Sequence, residues 1–323
     1  MNKVAITGAN GFIGSYLIRS FTELGEEVKA LMRPNSNDEL ILNKSLITHL
    51  DYTNLDLLKE TLTDCNLLIH TAALTKARTK EEYTAVNVDM VEQIVDIINS
   101  LEHKIHFIFL SSQAAGGMPP MGKLMKEDDE AHPLTYYGES KLEAENIIKD
   151  KCEQPWTIIR PVSVYGPGEK DFLQYFKMAK NHIGITIGKD KLANFISAEE
   201  LCEIITLASR NEKAYKQVFN ANDGKAYFQE DFLNAVVDSM EGVVFRVSIP
   251  DLLLYPVAFV SELVSYFTNK PALINFQKVK EFRGDNWVCS IEKTRSILGF
   301  RPSPNLQHRV NQTYSWYKEH KWL

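Results

Sequence analysis

Tyr137 and Lys141 stand four positions apart in the run Tyr137-Gly138-Glu139-Ser140-Lys141. On a helix, residues at that spacing share a face. An ammonium beside a phenol stabilises the phenolate and lowers a pKa that is ordinarily about 10. A tyrosine tuned in this way can exchange a proton with a carbonyl or alcohol oxygen near neutral pH. The spacing alone is common, and its plainest reading is surface decoration. Its setting gives it weight. The apolar run Phe107 to Leu110 ends in Ser111-Ser112, and a hydroxyl at the carboxyl end of a strand in an α/β sheet can hydrogen-bond a substrate oxygen. Ser112, Tyr137 and Lys141 are therefore the candidate catalytic set. Tyr136 is a rival phenol one residue early, without a lysine four positions on.

A second constellation, Thr7-Gly8-Ala9-Asn10-Gly11-Phe12-Ile13-Gly14, follows the apolar run Val4-Ala5-Ile6. A tight strand-to-helix turn needs positive φ. A pyrophosphate must approach the backbone closely and meet the free N–H groups of a helix start, and a third glycine lets helix and strand pack together. An ordinary glycine-rich turn is the plain alternative; the place between a first strand and an amphipathic helix favours nucleotide binding. Gly8, Asn10, Gly11, Phe12, Ile13 and Gly14 are the expected contacts. NAD-type sites hold the ribose 2′-OH with a carboxylate at the end of the second strand. Here that strand ends Leu31-Met32-Arg33, with no carboxylate. The planar fork of Arg33 suits a 2′-phosphate, so NADP is the expected cofactor, with NAD the alternative and a solvent-facing arginine the plain reading. Asp51 and Tyr52 are candidates for the adenine edge.

The elements that must position these residues alternate apolar runs with helical spacing: a helix from Phe12 to Leu24 ended by Gly25, a strand Val28 to Met32, and a strand Leu67 to Ile69. There follow helices near Glu81 to Leu101 and Tyr136 to Lys151, around the strand Phe107 to Leu110, and a strand Trp156 to Ile159. Continuous apolar strands separated by helices indicate a parallel sheet covered on both faces, an α/β, Rossmann-type doubly wound domain. That domain is expected over 1–165. A smaller, mixed C-terminal region over 166–323 is read as mainly substrate-binding, with about 190–222 returning to the first domain and Val218-Phe219-Asn220 as a returning strand.

The chain has 323 residues, 44% hydrophobic and 24% charged, with a formal net charge of −6, an ordinary globular composition that argues against a nucleic-acid partner. Cys65, Cys152, Cys202 and Cys289 are far apart, without metal-ligand spacing, so buried free thiols are expected and no metal site. A start that runs straight into a strand shows no signal peptide and suggests a cytoplasmic location. The apolar stretch Leu252 to Phe267 is interrupted by Pro256 and Glu262 and is short for a span. A helix packed in the substrate region or against a partner chain is favoured over a membrane anchor, and interfacial docking stays open.

Taken together, these residues resemble the extended short-chain dehydrogenase/reductase family, within the NAD-dependent epimerase/dehydratase superfamily. The resemblance runs through the glycine turn, His70-Thr71-Ala72-Ala73, Asn87, Ser111-Ser112, Tyr137 with Lys141, and Arg160-Pro161-Val162-Ser163-Val164-Tyr165-Gly166-Pro167-Gly168. A tail from Lys293-Thr294-Arg295 through Leu298-Gly299-Phe300-Arg301-Pro302 to Trp316-Tyr317 also matches. It covers essentially the whole chain. The resemblance implies that Ser112 is the catalytic hydroxyl, that Tyr137 is the acid/base, and that Lys141 also holds the nicotinamide ribose. It implies that Ala72 and Ala73 line the cofactor channel with Thr71, Asn87 and Ser111 nearby, and that Pro161 and Val164 lie on the nicotinamide side. It also implies a homodimer that pairs the helices near Glu81–Leu101 and Tyr136–Lys151.

Within the family, Gln113-Ala114-Ala115 after Ser112 lacks the carboxylates of dehydratase and decarboxylase branches. Ser163 and Leu192-Ala193-Asn194 depart from nucleotide-sugar patterns, and Arg283 and Arg301 stand at no defensible diphosphate position. The opening is more similar to dihydroflavonol-reductase and 3β-hydroxysteroid-dehydrogenase branches. The expected activity is an NAD(P)-dependent oxidoreductase moving hydride between cofactor and a small-molecule carbonyl or secondary alcohol. The alternatives are a nucleotide-sugar 4-epimerase that retains NAD, and a non-catalytic NAD(P)-binding protein. The C-terminal aromatics either line an apolar substrate pocket or form core.

Overall fold

In the computed structural model, residues 2–188, 190–268 and 275–323 are described. The chain runs β1 (Lys3–Thr7), α1 (Phe12–Glu23), β2 (Glu27–Met32), β3 (Ile47–His49), α2 (Leu55–Leu62) and β4 (Leu67–His70). A long helix follows in three parts: α3 (Lys80–Thr84), a π-helical turn (Ala85–Asp89) and α4 (Met90–Asn99). Then come β5 (His106–Leu110), α5 (Gln113–Gly116), α6 (Tyr136–Lys151), β6 (Trp156–Pro161), β7 (Ser163–Tyr165), α7 (Leu173–Lys180), β8 (Ile183–Ile187) and β9 (Leu192–Ser197). The remainder is α8 (Ala198–Ser209), β10 (Gln217–Ala221), β11 (Ala226–Phe228), α9 (Gln229–Ser239), β12 (Phe245–Ile249), α10 (Leu254–Thr268), α11 (Phe276–Phe282), β13 (Asn286–Trp287) and α12 (Leu306–Glu319).

Seven strands form one parallel sheet in the order β10-β6-β5-β4-β1-β2-β3. This is the doubly wound order with one strand added beside β6. The added strand contains Val218-Phe219-Asn220, in register with Ile158-Ile159-Arg160, as the apolar pattern predicts. Alternate residues of each strand feed opposite cores. Val4, Ile6, Ile69, Ile108 and Ile159 pack with Leu17, Phe21, Leu201 and Ile205, beneath α1 and α8. Ala5, Leu68, Phe107, Phe109 and Ile158 pack with Val91, Ile94 and Ile148, beneath α4 and α6. Both faces being covered is what makes the strands read as unbroken apolar runs.

The C-terminal region carries two small sheets. β9 pairs with β7, β11 and β13, while β8 pairs with β12. The 192–197 segment thus lies in the smaller sheet, while α8 and β10 pack on the large one. Tyr165, Phe176, Phe195, Tyr227, Phe232 and Tyr317 are buried together, which decides between the two readings of these aromatics: they are core. All four cysteines are buried and free, and no His/Cys/Asp/Glu cluster suited to a metal occurs among the described residues.

The stretch around α10 is not packed into the substrate region of its own chain, the first of the two packings expected for it. Only Leu254 and Ala258 of α10 are buried, and with Val279 they make a core of three buried side chains. Phe259 and Phe267 are 61% and 76% exposed. Asp251–Thr268, 18 residues, is long and apolar enough to cross a membrane by length and composition. An apolar helix has the same sequence pattern whether the body of the protein covers it or not.

Candidate functional site at the carboxyl ends of the parallel strands

Gly8 has φ +65°, and a Cβ there would stand 2.7 Å from the Ala72 nitrogen. At Gly14 a Cβ would overlap the Gly8 carbonyl and stand 2.8 Å from the Ala9 Cα, so α1 approaches the turn as closely as the third glycine predicts. Gly11 caps α1 with no side-chain acceptor, and the first turn has no acidic residue. The helix start therefore offers open N–H groups on an electropositive end. Thr71 Oγ1 donates to the Thr7 carbonyl at 2.7 Å, fixing the Thr71-Ala72-Ala73 segment against Gly8. Phe12, Ile13 and Asn10 lie half-buried around the turn, with the Phe12 ring edge-on to Tyr16 at 5.4 Å. Such a cradle fits a dinucleotide pyrophosphate, and any side chain at Gly8 would collide with the Ala72 backbone that closes the turn.

Arg33 follows β2 and is exposed. Tyr52 donates to the Leu31 carbonyl at 3.1 Å. Burial raises its phenol pKa, while the Gly8 backbone and the Arg33 charge act the other way. Arg33, Tyr52 and the glycine turn thus share one corner. The Asp51 carboxylate accepts from Thr53 N at 3.0 Å and Thr53 Oγ1 at 2.8 Å; these bonds lower its pKa and tie it into its own turn.

The helix α6, which carries Tyr137 and Lys141, spans the predicted residues, Tyr136–Lys151. Thr135 caps it by accepting from Gly138 N, with Glu139 in the first turn and Lys149 and Lys151 in the last, the charge order that suits a helix dipole. Ser112 caps the short α5, its Oγ accepting from Ala114 N at 3.1 Å, and its hydroxyl lies near enough to the Tyr137 phenol to lower that group's pKa. Gly138 makes that meeting possible. A Cβ there would overlap the Ala114 carbonyl, so only glycine lets α5 lie this close to α6. No spacing rule singled it out.

Lys141 reads differently from the i, i+4 expectation. Its ammonium donates to the Leu110 carbonyl at 2.6 Å and lies 4.1 Å from the Phe109 ring centroid. Burial pushes its pKa down to about 7, opposed by the Glu145 charge. Burial pushes Tyr137 up to about 12, with the nearby Ser112 hydroxyl pulling down and Glu281 and Tyr83 pushing up. In this arrangement the ammonium is anchored at the carboxyl end of β5, and burial is the largest influence on the phenol. His70, the first residue of the His70-Thr71-Ala72-Ala73 motif, is buried with its ring stacked on Phe109 at 5.9 Å. Its Nδ1 is 2.7 Å from Thr7 Oγ1. Burial and the Lys141 charge lower its pKa to about 3, so it is neutral at pH 7.

Two expected cofactor residues turn their side chains to the protein. Ser111 Oγ donates to Glu145 at 2.6 Å. Asn87, in the π-helical turn, bonds Leu74 N at 2.8 Å, Leu74 O at 3.0 Å and Ser140 Oγ at 3.0 Å, stapling the loop after β4 to α6. These placements give each a bracing part. Pro161 is buried at the end of β6, and Val164 lies half-buried in β7, both at the carboxyl end of the sheet.

Beneath the site, Arg160 donates to both Glu145 oxygens, at 2.8 and 2.7 Å. Glu145 lies one helical turn beyond Lys141, which is the signal that could have found it. Above the site, the α11 region touches the start of α6: Thr135 Oγ1 donates to Glu281 at 3.3 Å and Tyr136 N to Gln277 Oε1 at 3.2 Å. Nothing in the sequence marks Glu281 or Gln277. Of the two arginines considered for a diphosphate, Arg283 donates to the Tyr255 hydroxyl at 2.6 Å and Arg301 is exposed. Asn194 is spent on Cys289 N and the Lys225 carbonyl, at 2.7 and 2.6 Å.

Comparison with known proteins agrees with this geometry. Residues 4–221 match the model of the NAD dependent epimerase/dehydratase family. The chain belongs to that family. It is 25% identical to a UDP-glucose 4-epimerase of Vibrio cholerae, over 96% of this chain and 94% of that one. It is 24% identical to a decarboxylating sterol-4-alpha-carboxylate 3-dehydrogenase of Candida albicans, over 99% of this chain and 98% of that one. Among solved structures, MoeE5 in complex with UDP-glucuronic acid and NAD superposes with a TM-score of 0.77 at 20% identity, covering 98% and 99% of the two chains. Relatives thus include dehydrogenases and epimerases, both within the extended short-chain dehydrogenase/reductase class.

Proposed function

We propose that this protein is an NADP-preferring oxidoreductase that interconverts a carbonyl compound and a secondary alcohol. The observation that carries the reading is the close approach of α5 to α6 at Gly138, which brings Ser112 beside Tyr137 at the carboxyl end of β5, where the Lys141 ammonium is also held. Gly8, Gly11, Gly14 and the Thr71–Ala73 segment would hold the pyrophosphate and its flanks, with Lys141 near the nicotinamide ribose and Arg33 at the adenosine 2′ position. When bound, the dinucleotide supplies or accepts the hydride.

The chain's own residues then handle the proton. With its pKa near 12, Tyr137 is protonated at pH 7 and suited to donate from Oη to a substrate oxygen as charge develops there. Ser112 holds the same oxygen in line. The buried Lys141 ammonium, donating to the Leu110 carbonyl and facing the Phe109 ring, lends positive charge to the phenolate that forms. The lack of any carboxylate directly after Ser112 and the commitment of Arg283 to Tyr255 favour this reading over sugar-ring chemistry.

The epimerase reading draws on the likeness to the Vibrio cholerae enzyme. In that case NAD would stay bound and the hydride would return to the same substrate. The two separate in one experiment: incubation with NADPH and a panel of ketones, following loss of the reduced cofactor. Net oxidation supports the oxidoreductase. Interconversion of UDP-sugars without added cofactor supports the epimerase. A homodimer through the α3–α4 and α6 helices remains part of the proposal, to be read by light scattering.

A further inference from the structure

We propose that α10 docks flat on the surface of a lipid bilayer and holds the α11 cover of the active site against it. At 3.6 residues per turn, Val257, Phe259, Val260, Leu263, Val264, Tyr266 and Phe267 of α10 occupy one continuous sector of about half the helix circumference. Every one of them is at least 47% exposed. No charged residue falls in that sector. The carboxylates of the segment face inward: Glu262 accepts from Phe276 N at 2.9 Å, and Asp251 pairs with the buried Lys191 at 3.1 Å.

Several features commit the face to lipid. A helix that packs on protein shows an apolar stripe of about 100° with polar residues beside it; a sector near twice that width suits burial of a half-cylinder in acyl chains. Cations flank it, as lipid phosphates require. Lys278, Lys280 and Arg283 on or next to α11 are exposed, and Arg283 is bonded to Tyr255 of α10 itself. The helix cannot leave the body to cross the bilayer. It is fastened along its length at Asp251, Leu254, Tyr255, Ala258 and Glu262, so it lies on the surface.

The consequence reaches the site through two bonds already described, Thr135 to Glu281 and Tyr136 N to Gln277. Docking α10 would fix α11 above Tyr137 with its entrance at the membrane. Under the oxidoreductase reading this favours a substrate carried in the bilayer. The docking itself does not depend on that reading, since lipid binding is measured without substrate or cofactor.

The test is flotation of the full-length protein with phosphatidylcholine vesicles, with and without phosphatidylserine, for the wild type, the triple variant Phe259→Ser/Val260→Ser/Phe267→Ser, and the control Leu42→Ser. Leu42 is 87% exposed outside this helix. The wild type and control float, and the bound fraction of the triple variant falls at least about tenfold, as expected when three buried apolar side chains are lost. Phosphatidylserine strengthens binding, and salt removes only that increment. Because the three side chains are exposed, the circular dichroism and Tm of the variant stay at wild-type values. A wild type that stays at the bottom of the gradient overturns the proposal, as does equal flotation of the triple variant. A lipid-free wild-type dimer that becomes monomeric in the triple variant, without vesicle binding by either, assigns the face to a second copy and overturns it as well.

Discussion

The glycine turn and the α10–α11 segment both border the active site, and they are held in opposite ways. The turn is fixed by backbone contact. Gly8 lies against Ala72, Gly14 lies against Gly8, and the strand beneath is buried on both faces. The α10–α11 segment rests on three buried side chains and a few polar bonds, at Glu262–Phe276, Arg283–Tyr255, Thr135–Glu281 and Tyr136–Gln277. Regions with few buried contacts open at small free-energy cost. The cofactor side is therefore built to stay, and the cover over Tyr137 is built to shift. Chemistry should depend on the first region and access on the second.

The comparison can be broken most sharply at Tyr137. Tyr137→Phe removes the proton donor and leaves the glycine turn untouched. Turnover should fall about 10²- to 10⁴-fold with NADPH affinity unchanged by fluorescence titration; retained turnover would move the acid/base elsewhere. The next effect tests whether the floor of the site is rigid. Arg160→Met leaves Glu145 buried, facing Ser111 and Lys149 alone, and should cost about 3–5 kcal/mol of stability, read as a lower midpoint in urea. A change below 1 kcal/mol would show that the Arg160–Glu145 pair does not brace the floor.

Arg33→Ala sharpens the cofactor side alone. Loss of a charge-assisted contact of about 1.5–3 kcal/mol should weaken NADP⁺ about ten- to a hundredfold and leave NAD⁺ unaffected. Equal losses for both would make Arg33 a general electrostatic contributor. The smallest effect is the pH dependence. Lys141 has its pKa lowered to about 7, so its charge is present below that pH and lost above it. Tyr137, near 12, keeps its proton throughout. In the reductive direction kcat/KM should decline above pH about 7, by at most tenfold per unit, since this quantity follows the free enzyme. A profile flat from pH 6 to 9 would mean that the lysine charge does not act in the rate.

Much of the N-terminal half was legible because local rules and the fold agree there. Alternating burial made β4, β5 and β6 unbroken apolar runs, Gly25 ended α1 at φ +77°, and Thr135 began α6 at the predicted residue. Ser112 and Tyr137, 25 positions apart, were paired through resemblance and meet in space because Gly138 admits α5. What stayed hidden depends on tertiary direction. Lys141 shares a face with Tyr137 yet points to Leu110, because the carbonyl at the end of β5 is the nearest acceptor for a buried ammonium. Glu281 and Gln277 reach α6 from about 140 residues further along the chain, beyond any periodicity. The exposure of α10 was equally hidden, since nothing in its apolar pattern says which side the rest of the protein covers.

The central claim is that hydride leaves the cofactor for a released product. Its most direct test is turnover with NADPH deuterated at the transferring position, against the ketone panel, with mass spectrometry of product and quantification of NADP⁺. The account predicts one deuterium in the alcohol for each NADP⁺ formed, and neither with Tyr137→Phe. Substrate that is epimerised with no NADP⁺ accumulating would contradict it.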